Sequence, residues 1–217
     1  MTTRRLAIFL AMTLGLGCSA AFAATLNVGS WHMWAGSQTL TKGTCTLTGS
    51  TSTVDTYVDE HSPTSSFGSS TTLAVGPKTS NRTWAFVRFD LSSCNIPATG
   101  GADSATLSLR ITNAPGSSRT IDVTPVGTTW DGTTTWNAAQ SLSYGATTTS
   151  FATGTTNNVT KSVTVTVDVD ALIKSSTANY GWRLSDSGAS ANVTTLFGSA
   201  ENTTAANRPQ LQINYEK

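Results

Sequence analysis

Apolar and polar side chains take turns along several stretches of this chain. Ala85, Val87, Phe89 and Leu91 alternate with Trp84, Phe86, Arg88 and Asp90, and Leu107, Leu109 and Ile111 alternate with Ser108, Arg110 and Thr112. Val163, Val165, Val167 and Val169 repeat the spacing, as do Tyr180, Trp182 and Leu184, and then Leu211, Ile213 and Tyr215. A period of two sends successive side chains to opposite faces, so each stretch predicts an antiparallel strand with one face in a core and one in water. Turn formers fall between them, at 96–101, 113–116 and the long Gly/Ser/Thr stretch 144–158. A single helical turn is expected within 168–177, with Asp170 as its cap. Short strands and turns at this spacing predict an all-β fold: a two-sheet antiparallel β-sandwich, jelly-roll-like.

The first 23 residues do not fit that pattern. Arg4 and Arg5 precede an apolar run from Leu6 to Gly17, and Ala21-Phe22-Ala23 supplies small residues for cleavage, so residues 1–23 are expected to be a secretory signal peptide. The run is too short to span a bilayer. Cys18 sits in only a partial lipobox, and export without a lipid anchor is the expectation. Residues 24–52 form a Gly/Thr-rich extension with Trp31, His32 and Trp34, and 53–217 form the sandwich domain.

Composition narrows the function classes. Charged residues make up 12% of the chain, against about 25% in ordinary domains. Removing the two arginines of the signal leaves 11 basic against 12 acidic residues. A nucleic-acid binder working by phosphate neutralisation is thereby excluded. Without Cys18, Cys45 and Cys94 remain, and in an oxidising compartment they are expected to form one disulfide, two free thiols being the alternative.

The chain shows no catalytic signature. His32 and His61 are the two histidines, and neither has a nucleophile elbow nearby. Asp55 and Glu201 are candidates to share a calcium ion with loop carbonyls, the alternative being a cap or turn role. Arg88, Arg110 and Arg183 each alternate with a core set, so if their strands share a sheet they line one wetted wall with Trp84 and Phe86. Arginine grips a carboxylate with two parallel hydrogen bonds, and an aromatic ring covers the C–H side of a sugar. The competing reading pairs each arginine with a sheet-face acid such as Asp90 or Asp168. Trp130 and Trp136 are expected to plug one end of the sandwich, and Trp182 to lie in the core.

Several motifs occur in a family order: Asp55-Thr56-Tyr57-Val58, Ser62-Pro63-Thr64-Ser65-Ser66-Phe67-Gly68, Val87-Arg88-Phe89-Asp90-Leu91, Asn179-Tyr180-Gly181-Trp182, Ser199-Ala200-Glu201 and Arg208-Pro209-Gln210-Leu211. From about Thr53 onward the chain resembles the DNRLRE-domain family, a carbohydrate-binding-module-like β-sandwich group related to disaggregatase repeats. The resemblance implies a jelly-roll-like sandwich that binds acidic polysaccharides in some members and belongs to large surface proteins in others. Residues and resemblance together lead to a secreted, non-catalytic module for a uronate-containing or sulfated polysaccharide. The alternatives are a structural or adhesive surface subunit, with residues 24–52 engaging a partner or a second copy, and a polysaccharide lyase or hydrolase.

Overall fold

The computed structural model describes residues 41–188 and 193–217, together with the backbone of two short strands, β1 (Asn27–Val28) and β2 (Trp31–His32). Those two strands pair antiparallel with each other. The expected signal peptide, Cys18, Trp34 and, those two strands aside, the other residues before position 41 lie outside the described residues.

The rest of the described chain is a sandwich of two antiparallel sheets. One has the order β3 (Lys42–Thr48), β13 (Gln210–Glu216), β7 (Gly101–Asn113), β12 (Thr195–Gly198), β5 (Thr72–Val75), with β10 (Val159–Thr164) also on β7. The other has the order β4 (Thr53–Asp59), β6 (Thr83–Phe89), β11 (Trp182–Asp186), β8 (Thr120–Pro125), β9 (Thr149–Ala152). Ala85, Val87 and Phe89 of β6, Trp182 and Leu184 of β11, and Leu107, Leu109 and Ile111 of β7 all turn inward and are buried together. The alternation is what permits this, since each strand delivers every second residue to one shared layer. Gly181, at φ +65, opens β11; a Cβ there would run into the Val87 carbonyl oxygen, so the close approach of β11 to β6 requires glycine.

The four alternating valines behave differently from a single strand. The chain is extended through Val163, then turns into α2 (Thr166–Ile173). Val165, Val169 and Ile173 are buried at helical spacing, while Val167 is 78% exposed. A helix repeat of four and a strand repeat of two coincide at Val165 and Val169, so alternation alone does not separate them. Thr166 Oγ1 accepts the Ala105 N–H at 2.9 Å, in the place where a continuing strand would have met the backbone. Asp170 does not cap this helix: it accepts from the Ala102 N–H at 3.1 Å and from Lys174 Nζ at 2.7 Å.

The sandwich also begins before position 53. β3 falls inside the 24–52 segment and pairs along the whole of β13. It is an edge strand with Leu47 as its buried apolar residue, which is why no alternating run marks it. Cys45 of β3 is disulfide-bonded to Cys94, in the 3₁₀ turn that follows β6, with a Cα–Cα distance of 5.6 Å. The bond therefore ties the six-stranded sheet to the chain leaving the five-stranded one.

Candidate carbohydrate-binding face

The side chains that β6 does not send into the core, Trp84, Phe86 and Arg88, stand on the outer face of the five-stranded sheet. Arg183 of β11 joins them, opposite Phe86 on one side and Thr124 on the other. The connection from β8 to β9, residues 126–148, folds back across this face. It carries Trp130, Tyr144 and the single-turn helix α1 (Trp136–Ala139), whose N-terminus is capped by Thr135 Oγ1 accepting from the Ala138 N–H. Val58, Phe86, Val126, Trp130 and Trp136 make a second apolar cluster here, separate from the main core. Trp130 and Trp136 thus cover a sheet face and do not plug the sandwich end; Trp130 Nε1 donates to the Tyr180 carbonyl at 2.6 Å.

Aromatic rings and guanidinium groups form one continuous ladder across the face. The Arg88 guanidinium carbon lies 5.4 Å from the Trp130 ring centroid, Trp130 lies 5.4 Å from Phe86, and Phe86 lies 6.5 Å from Tyr144. Arg183 is wedged between Tyr144, at 4.0 Å, and Trp84, at 4.8 Å. Trp84 lies 4.5 Å from Trp136, and Arg82 closes the row 4.9 Å from Trp136. Each cation–ring contact contributes about 0.5–2 kcal/mol, depending on how dry it is.

The three guanidiniums differ in what already holds them. Arg82 is taken: Nη2 donates to Glu60 Oε1 at 2.7 Å and Nε to Oε2 at 3.2 Å. That hydrogen bonding holds the Glu60 carboxyl down at about 2. Arg88 makes one long bond, Nη1 to the Trp130 carbonyl at 3.4 Å. Arg183 forms no ion pair among the described residues, and its buried Nε lacks a hydrogen-bond partner. Burial draws the Arg183 guanidinium below the usual arginine value, opposed by the Tyr144 hydroxyl and by the charge of Asp122. A half-buried arginine stays charged, so Arg183 is a cation stripped of part of its water and, among the described residues, without an ion-paired carboxylate.

The expected grouping is partly met. Arg88, Arg183 and Trp84 share the face, but Phe86 is fully buried beneath Trp130 and offers no ring surface. Arg110 stands on β7 in the other sheet, where its Nη1 donates to Thr160 Oγ1 at 3.3 Å, so it belongs to the opposite side of the sandwich. Neither expected acid pairs with an arginine: Asp90 accepts the Ser92 N–H, and Asp168 accepts from Trp182 Nε1 at 2.6 Å. Arg82 and Tyr144 escaped the alternation test because one precedes its strand and the other lies in a loop; an arginine two residues before an outward Trp was the available signal for Arg82.

Glu60 and Arg82 are about one-third exposed, which limits their pair to about 1 kcal/mol or less. Glu60→Gln should therefore barely move the thermal midpoint at pH 7, while freeing the Arg82 fork; a drop of several degrees in the melt would show that the pair carries more than a surface ion pair.

Asp55 and Glu201 do meet, at the edge of the sandwich where the chain leaves β12. Asp55 is buried, accepts the Ala200 N–H at 2.8 Å and is hydrogen-bonded to Glu201. Burial, the hydrogen bond to Glu201 and that group's charge push its carboxyl up to about 8, with the Ala200 N–H acting against them. A buried carboxyl beside a second one is easier to keep protonated than ionised. Among the described residues no third His, Cys, Asp or Glu joins them to complete a metal-ligand group. His61 lies in a turn in which its N–H donates to Asp59.

A family model described as carbohydrate-binding module family 96 matches residues 46–215. No curated protein matches the chain.

Proposed function

Since the chain belongs to carbohydrate-binding module family 96, we propose that it is a secreted, non-catalytic module for an anionic, uronate-containing or sulfated polysaccharide, held on the outer face of the five-stranded sheet. One observation supports the anionic preference: Arg183, half-buried between Trp84 and Tyr144, is ion-paired with no carboxylate among the described residues. A carboxylate arriving there completes a charge-assisted fork in a partly dry setting, where such bonds are strongest. The half-buried Trp84 and Tyr144 rings flank it and offer apolar surface to the sugar C–H groups. The DNRLRE-type motifs, which include Arg88, support acidic polysaccharides as the ligand class, and the apolar leader supports export. Affinity electrophoresis in gels of alginate, a sulfated galactan and neutral xylan tests the reading. Retention is expected in the first two and should weaken as salt rises, because the exposed share of the charge contacts is screened. Equal retention in xylan would remove the anionic preference.

A further inference from the structure

At one end of the same face, the turn between β3 and β4 and the last residues of β6 enclose a cleft of about 390 Å³, lined by Thr51, Ser52, Val54, Arg88, Asp90 and Asn179. Three features distinguish it from ordinary surface. Arg88 enters it with four of its five N–H donors uncommitted, its single bond being the long one to Trp130. Val54, directly opposite Arg88 in the strand register, is 38% exposed, one of two large apolar side chains so exposed among the described residues. Thr53, on the cleft wall, is buried with its hydroxyl unpartnered.

The local acids do not claim Arg88. Asp90 is engaged with Ser92, whose hydrogen bonds hold its carboxyl below the usual range, with a smaller part from Arg88. Asp131 is likewise engaged with Thr133. Both lend Arg88 only long-range attraction. By register Arg88 is two residues along and one strand over from Arg183, so their Cα atoms are roughly 8 Å apart, with Phe86, Trp130 and Tyr144 filling the space between.

We propose that this cleft is a second subsite, which takes another uronate residue of the polysaccharide chain that Arg183 holds. Its carboxylate meets the Arg88 fork, its C–H face lies on Val54, and its hydroxyls face those of the β3–β4 turn. The subsite rests on the outer-face reading above, and it makes a demand that the single contact does not: affinity must grow with oligomer length, and Arg88 must carry that growth.

Isothermal titration of the intact chain with a dimeric and a hexameric oligouronate tests this. Wild-type protein is expected to bind the hexamer at least tenfold more tightly than the dimer, the worth of one added charge-assisted fork. Arg88→Gln should abolish that gain, bringing the hexamer to the affinity of the dimer, and Arg88→Lys should restore only part of it. Thr51→Glu, on an exposed turn that tolerates substitution, should produce the same loss by repulsion and serves if Arg88→Gln folds poorly. If Arg88→Gln and Thr51→Glu keep the full hexamer gain while Arg183→Gln loses binding, the second subsite is wrong and the outer face stands. If wild-type protein binds neither oligomer, both fall.

Discussion

Replacing Asp55 by asparagine should raise the melting temperature at pH 7–8, although it deletes a potential charge. Asp55 is buried at the sandwich edge, and its folded carboxyl titrates at about 8 against 3.8 in an open chain. Between those values the folded protein binds a proton that the unfolded chain has released, so stability falls as pH rises across the interval. The contribution is fully present below about pH 4 and has gone above about pH 8. Its size is on the order of a few kcal/mol. Asparagine reproduces the protonated state: its carbonyl oxygen accepts the Ala200 N–H and its amide donates to Glu201, with no proton to lose. Asp55→Asn should therefore flatten the decline between pH 4 and pH 8, whereas Asp55→Ala should melt lower throughout because the buried Ala200 N–H loses its acceptor. Glu60, Asp90, Asp131 and Asp170 are all held below their ordinary values, so they act in the other direction, losing stabilisation as pH falls below about 4.5. Wild-type stability should peak near pH 4–5, and the peak should broaden upward in Asp55→Asn. Melts recorded across this range check it. A wild-type optimum at pH 8 would contradict a raised Asp55 carboxyl, and a calcium-dependent rise in wild type that Asp55→Asn lacks would assign the pair to a cation instead.

Loss of the Cys45–Cys94 bond should have the largest effect of any covalent change. The two residues are 49 apart in sequence, and closing a loop of that length restricts the unfolded chain by about 4 kcal/mol in the chain-entropy model. For a chain of this size that corresponds to roughly 8–16 °C in melting temperature. The bond also holds the edge strand β3, which contributes little apolar burial of its own. Cys45→Ser combined with Cys94→Ala, which suits a buried site, should melt lower by that amount, and so should wild type under reductant. Coincident melts for the oxidised and reduced chains would show that β3 is held by its pairing with β13 alone.

What the sequence revealed of the fold was the inner layer. Leu109 and Trp182 are flanked by Ser108 and Arg110 and by Gly181 and Arg183 because their strands turn one face to the core, and both are buried; β6 buries Val87 on that face and Phe86 on the other. Which strands share a sheet is set by pairings between distant segments, and local period carries no information about that. Arg110 and Arg183 therefore look equivalent in sequence and stand on opposite sheets. The 144–158 stretch hid β9, a four-residue edge strand whose apolar residue Phe151 is only half-buried. The 126–148 connection reads as a loop, but its Trp130, Trp136 and Tyr144 are the rings that turn an open sheet face into a ladder gripping Arg88, Arg183 and Arg82. Asp55 and Glu201, 146 positions apart, were grouped on chemistry alone, and only the packing of β4 against the chain after β12 brings them together and buries Asp55.

The anionic ligand is tested most directly by one comparison: titration of wild-type protein and Arg183→Gln with a polyuronate and with the same polymer after its carboxyl groups have been reduced to alcohols. Sugar stereochemistry and chain length are then constant, and only the charge changes. Recognition through Arg183 predicts that wild type loses at least tenfold in affinity on the reduced polymer, and that Arg183→Gln binds the polyuronate more weakly and shows a smaller difference between the two polymers, its melting temperature falling only by the two lost cation–ring contacts. Undiminished wild-type binding to the reduced polymer would contradict it and leave a neutral-sugar face.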